Sequence, residues 1–140
     1  MLRTKHGRYS AIKSAMQLAT LWCYFKYGRS IWNTDPVHIS ICTTMQKHYG
    51  YYEAFDDSDR SSSTYAVIRI NPKLHRDLRS IVETVIHEYQ HHLQPIDSYE
   101  RYFSLGYNYS DHPFETEASS VAIRDAQECF EWVSKRLKKK

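Results

Sequence analysis

Residues 87 to 91 read His87-Glu88-Tyr89-Gln90-His91, an HExxH pentapeptide. Two histidines at i and i+4 lie one turn apart on one helical face, so their ring nitrogens can converge on a single Zn²⁺. Glu88 then stands beside the metal without having to bind it. Zinc lowers the pKa of a bound water to roughly 7, and a neighbouring carboxylate can take the proton. These residue types at this spacing point to metal-assisted hydrolysis of a peptide bond, with Glu88 as general base.

The flanking residues supply the helix that such a pair needs. Asn71-Pro72 offers an N-cap followed by proline at a first helical position. From there Leu78, Ile81, Val82, Val85, Ile86, Tyr89 and Leu93 recur at spacings of three and four, and Pro95 ends the run. Ser80, Thr84, His87, His91 and Gln94 fall on the opposite side. The histidines are therefore not on the core-building face. The alternative that remains for them is a solvated polar face.

A catalytic zinc takes three protein ligands and keeps one position open. The segment Ser110-Asp111-His112-Pro113-Phe114-Glu115-Thr116-Glu117-Ala118-Ser119 holds the candidates for the third. Pro113 reads as a first helical residue with acidic residues in the turn behind it, and the helix runs to about Leu137. Glu115 heads the stripe Ala118, Ala122, Ala126, Cys129, Val133 and Leu137, whereas Glu117 falls with Arg124, Glu128 and Glu131 on a charged face. A carboxylate leading a core-facing stripe must be paired or metal-bound. Glu115 is the preferred ligand, with Glu117 and His112 as alternatives. The developing oxyanion needs a further donor. Tyr102, Tyr107, Tyr109 and His112 lie between the two metal helices, and Tyr107 and His112 rank level as catalytic candidates.

The other elements follow from periodicity. Residues 9–27 read as a packing helix with Ile12, Met16, Ala19, Trp22 and Cys23 inward and Gly28 as its stop. Val37, Ile39, Ile41 and Thr43 alternate with polar residues as a strand, and Tyr65–Ile70 is a second. Asp56–Ser63 reads as an acidic loop. It lacks the glycine and closing glutamate of a calcium loop. The expected fold is α+β over a single domain, 1–140. It has a small, mostly antiparallel sheet, an N-terminal helix, the HExxH helix and a long C-terminal helix.

Composition excludes other classes. The 140 residues are 41% hydrophobic and 25% charged, ordinary for one globular domain. Cys23, Cys42 and Cys129 form no CxxC pair, which argues against a disulfide framework or a thiolate zinc site and fits a reducing, cytoplasmic setting. The longest apolar stretch, Ala15 to Phe25, has 11 residues and cannot span a bilayer. The net charge is +3, and the tail Lys135-Arg136-Leu137-Lys138-Lys139-Lys140 could make weak nucleic-acid contacts. A solvated helix end is its plainer reading.

With these motifs in place, the chain resembles the gluzincins, thermolysin-like and minimal bacterial or phage zinc metallopeptidases. In these an HExxH helix is followed by a second helix opening E-x-x-A-[D/N], here Glu115-Thr116-Glu117-Ala118-Ser119. The resemblance implies a zincin-like fold, zinc ligands His87, His91 and Glu115, Glu88 as general base, and a peptide or protein substrate. It also implies an edge strand before the first helix that pairs with the substrate backbone; Tyr65–Ile70 stands in that place. The acidic Asp56–Ser63 loop would cover that edge and favour basic peptides. Ser119 departs from the pattern, since Asp or Asn usually orients a ligand histidine there. SprT-like zinc proteins, which associate with nucleic acid, are the rival resemblance. They draw a third histidine from an H-G-x-x-[F/W] segment, for which His112-Pro113 is the only substitute here. A zinc-binding module without turnover is the alternative function.

Overall fold

The computed structural model describes residues 5–33, 37–44, 49–57 and 63–138. The first helix, α1 (Lys5–Tyr27), buries Ile12, Ala15, Met16, Ala19, Trp22 and Cys23, the stripe expected from the three-four spacing. It ends where Gly28 adopts φ 87°, a left-handed conformation that glycine enters without steric penalty. The carbonyl of Gly28 accepts a hydrogen bond from the Tyr89 hydroxyl at 2.8 Å, which ties the end of α1 to the HExxH helix.

Three strands follow: β1 (Val37–Ile41), β2 (Gly50–Asp57) and β3 (Ser63–Ile70), in the order β1-β3-β2. The sheet is mixed rather than mostly antiparallel, because β1 runs parallel to β3 and β2 antiparallel to it. Register places Ile39 and Tyr52 on either side of Ile68, and Val37, Ile39, Ile41 and Tyr52 pack on the common core. The expectation that Tyr65–Ile70 forms the free edge is overturned, since β3 is central and hydrogen-bonded on both sides. The reason is burial: Ala66, Val67, Ile68 and Ile70 are all buried, and a strand covered on both faces belongs in the interior of a sheet. Among the described residues β1 and β2 are the two edges; β2, the one beside the cleft, is a strand that alternation did not reveal because Tyr51-Tyr52-Glu53 does not separate cleanly into polar and apolar faces. Asp56 and Asp57 close β2 and Ser63 opens β3, so only residues 58–62 of the expected acidic loop are left as a connection, and they lie outside the described residues.

The HExxH helix α2 spans Leu78–His92. Its cap is Asp77, whose carboxylate accepts the Ser80 N–H at 2.9 Å, and not Asn71. Asn71 instead caps a 3-10 turn over Pro72–Leu74. Beyond Pro95 comes an unanticipated helix, α3 (Ile96–Ser104), and then a 3-10 turn over Tyr109–Asp111. The last helix, α4, runs Pro113–Lys138 and buries Glu115, Ala118, Ala122, Ala126, Cys129 and Val133, as its stripe requires. Helices α1, α2 and α4 enclose one core with the inner sheet face. Among the described residues no helix is long and apolar enough to cross a membrane. At the basic end of α4 the Arg136 guanidinium lies 3.6 Å from the Trp132 ring centroid; Lys139 and Lys140 lie outside the described residues.

Candidate metal centre

The α2 repeat puts His87 and His91 on one side with ring centroids 5.1 Å apart. The first turn of α4 brings Glu115 against both. Its Oε1 lies 3.0 Å from His87 Nε2 and its Oε2 3.1 Å from His91 Nε2. One donor atom from each of the three residues falls within 4.8 Å of the others. Ligands bound tetrahedrally at about 2.0–2.2 Å sit roughly 3.3–3.6 Å from one another, so the group could hold one metal ion with little rearrangement. All three side chains are at most 18% exposed, so a bound ion would be largely shielded from water.

Outer contacts aim these side chains. Gln94 Oε1 lies 2.7 Å from His91 Nδ1, and Ser119 Oγ lies 3.3 Å from His87 Nδ1. Ser119, the residue that departs from the E-x-x-A-[D/N] pattern, thus stands against His87. The Tyr99 hydroxyl donates to Glu115 Oε2. This contact could not be read from the sequence, although Ile96, Tyr99 and Glu100 at i, i+3 and i+4 do mark a helical face. Glu117, the alternative ligand, is exposed and instead accepts the Gln94 Nε2 donor at 3.0 Å.

His112 is wholly buried and has both ring nitrogens engaged by backbone. Its Nδ1 accepts the Phe114 N–H at 3.1 Å, which leaves Nε2 to donate to the Tyr99 carbonyl at 2.8 Å. It locks α3 to the start of α4 and is not brought to the triad. Tyr107 is 40% exposed, packs edge-on against Tyr102 at 5.4 Å, and does not line the cleft either. Of the oxyanion-donor candidates Tyr102, Tyr107, Tyr109 and His112, Tyr109 does line it.

The cleft has two arms. One, a cavity of about 310 Å³, lies between the edge of β2 and the Ile96–Tyr99–Glu100 face of α3. The other, about 370 Å³, lies beside Tyr49, Thr84, His87 and Ser119. Gly50, Glu88 and Tyr109 line both, so they mark the junction. Glycine is required there, because a Cβ on residue 50 would stand 2.5 Å from Thr84 Cγ2 and 3.3 Å from Glu88 Cγ.

Charge is uneven at the junction. Glu88 is only 7% exposed, accepts no hydrogen bond among the described residues, and has His87 Nε2 4.0 Å from its Oε2. Burial raises its pKa, opposed by the charges of His91 and His87. Burial pushes Glu115 the same way, but hydrogen bonds from His87, His91 and Tyr99 outweigh it and hold that carboxyl well below the usual range. Burial disfavours a charged His91, yet its bond to Glu115 and the nearby carboxylates raise its pKa overall. Burial and the neighbouring carboxylates raise the phenols of Tyr99 and Tyr109, keeping both protonated and able to donate. Comparison with protein-family models, curated proteins and solved structures finds no match, so the site is interpreted from its own geometry.

Proposed function

We propose that the chain is a zincin-like peptidase of gluzincin type that hydrolyses peptide bonds with one Zn²⁺ held by His87, His91 and Glu115. The observation that carries this reading is the convergence of these three side chains beside Glu88, a buried carboxylate whose Oε2 lies 4.0 Å from His87 Nε2. Two imidazoles and one carboxylate are a donor set suited to catalytic zinc, and they leave a fourth position facing the cleft. When bound there, the ion would act as a Lewis acid on a carbonyl and acidify water at the open position. The acidic third ligand favours the gluzincin over the SprT-like reading, since His112 is committed to backbone elsewhere.

The chain's own residues supply the rest. Glu88 accepts the proton of the attacking water and returns it to the leaving amine, a task suited to a carboxylate whose pKa is raised by burial. Tyr109, protonated and at the junction of the two arms, donates to the oxygen that gains charge as the carbonyl is attacked. The outer edge of β2, beside the cleft, pairs with an extended peptide, the role the sequence had suggested for β3.

Metal analysis together with Glu88→Gln tests the reading. One zinc per chain is expected in the wild type and in Glu88→Gln. Turnover of a peptide library should fall by about 10²–10⁴ in the variant, the contribution typical of a positioned base. His91→Ala and Glu115→Ala should lose the metal. Full occupancy in both of these, or wild-type turnover by Glu88→Gln, would sink the mechanism.

A further inference from the structure

The arm of the cleft between β2 and α3 carries a chemical preference, an inference that rests on the peptidase reading above. The chain has 19 Lys and Arg against 16 Asp and Glu, yet among the described residues no Lys or Arg lines either arm. Carboxylates line both. Glu53 is neutralised, because Arg69 Nε donates to it at 2.9 Å. Glu88 and Glu115 belong to the reaction centre. Glu100 is exposed on the α3 face of the arm and has no hydrogen-bond or ion-pair partner among the described residues. A second observation points to an occupant. Glu88 is more than nine-tenths buried, lines the same arm and, among the described residues, accepts no hydrogen bond, its ion-pair contact being His87 Nε2 at 4.0 Å. The cleft thus holds polar capacity that this chain's described residues leave unused.

The walls define the occupant's shape. Ile96 and Tyr99 lie one helical turn apart on α3, Tyr51 lies across from them on β2, and Glu100 stands beside Tyr99. A long side chain with an apolar stem and a cationic tip matches that order. Its methylenes would lie along Ile96 and the tyrosine rings while its charge reached Glu100. We propose that the substrates are peptides that place a Lys or Arg side chain in this arm, with Glu100 as the residue that selects for the charge.

A set of fluorescent peptides, identical except for Lys, Arg, norleucine or Glu at one position, tests this in two readouts. Cleavage by the zinc-loaded protein gives kcat/KM, and anisotropy with Glu88→Gln gives affinity without turnover. Lys and Arg peptides should exceed the norleucine peptide by roughly two- to fivefold, the size expected of an exposed ion pair, and raised salt should shrink the gap. Glu100→Gln should bring the ratio close to one, and Glu100→Lys should turn the preference toward the Glu peptide. Equal values for Lys and norleucine in both readouts would overturn the inference while leaving peptidase activity standing. A Lys preference that survives Glu100→Gln would overturn the assignment to this arm. A Lys preference in binding, with no peptide cleaved, would overturn the peptidase reading and keep the cationic preference. Neither binding nor cleavage of any peptide would overturn both.

Discussion

Gln94 dictates which nitrogen of His91 faces the metal position. Its Nε2 donates to the Phe114 carbonyl at 3.3 Å and to Glu117 Oε1 at 3.0 Å, which turns Oε1 toward His91 Nδ1 at 2.7 Å. With both ring nitrogens facing acceptors, Nδ1–H donates to Gln94 and Nε2–H to Glu115; a metal ion would take the place of the Nε2 proton, while Gln94 keeps the proton on Nδ1. Gln94→Leu keeps the volume and removes the acceptor. It should weaken zinc binding by about 10–100-fold, read by competition with a chromophoric chelator. Unchanged affinity would show that the tautomer does not depend on this amide.

The assignment of Tyr109 predicts a change in kcat that leaves the metal in place. Tyr109→Phe keeps the ring and removes the donor. Its kcat should fall about 10²–10³-fold with zinc content unaltered, as for loss of one oxyanion donor. Tyr107→Phe, at an exposed position away from the cleft, should keep the wild-type rate. Steady-state kinetics on one peptide compares the two, and a larger loss in Tyr107→Phe would reverse the assignment.

Gly50 lets the edge strand approach the HExxH helix. Gly50→Ala would drive a methyl group to 2.5 Å from Thr84 Cγ2. Such overpacking should cost roughly 1–3 kcal/mol and move β2 away from Glu88. Adding Thr84→Ser removes the clashing methyl but keeps the hydroxyl that lies 2.8 Å from His75 Nε2. Part of the loss should return in the double variant, measured by urea unfolding. Additive losses would show that the clash is relieved some other way.

Tyr27 and Asp125 join α1 to α4 through a hydrogen bond of 2.6 Å from the phenol to Oδ2. The Arg124 hydrogen bonds, with Tyr27's, hold the Asp125 carboxyl below its usual range despite partial burial. Its folded pKa is thus lower than its unfolded one. The stability it contributes is complete above the unfolded value, about 3.9, and is lost as pH falls through the folded value. Asp125→Asn should lower stability at neutral pH and flatten the acid limb of a pH–stability curve. Tyr27→Phe should cost about 1–2 kcal/mol at pH 7. An unaltered acid limb in Asp125→Asn would show that the ion pair is open in solution.

The sequence by itself determined which side of its helix each of His87, His91 and Glu115 occupies, because each depends on a local repeat. His87 and His91 are four apart on a helix whose apolar side was legible, and Glu115 heads a stripe that had to be buried. The packing faces of α1 and α4 followed from the same periodicity. Tertiary structure decided what depends on distant partners. Strand order is set by which residues find cover on both faces, so the apolar run Ala66–Ile70 went to the centre and β2 to the cleft. Tyr99 reaches Glu115, and His112 is consumed by backbone, only because α3 folds back over the start of α4. Spacing along the chain carries helix faces, since 3.6 residues per turn maps sequence directly onto one side of a cylinder. It carries no comparable rule for which strand lies at the edge or which of several tyrosines leans over a cleft, since those depend on contacts between segments far apart in the chain.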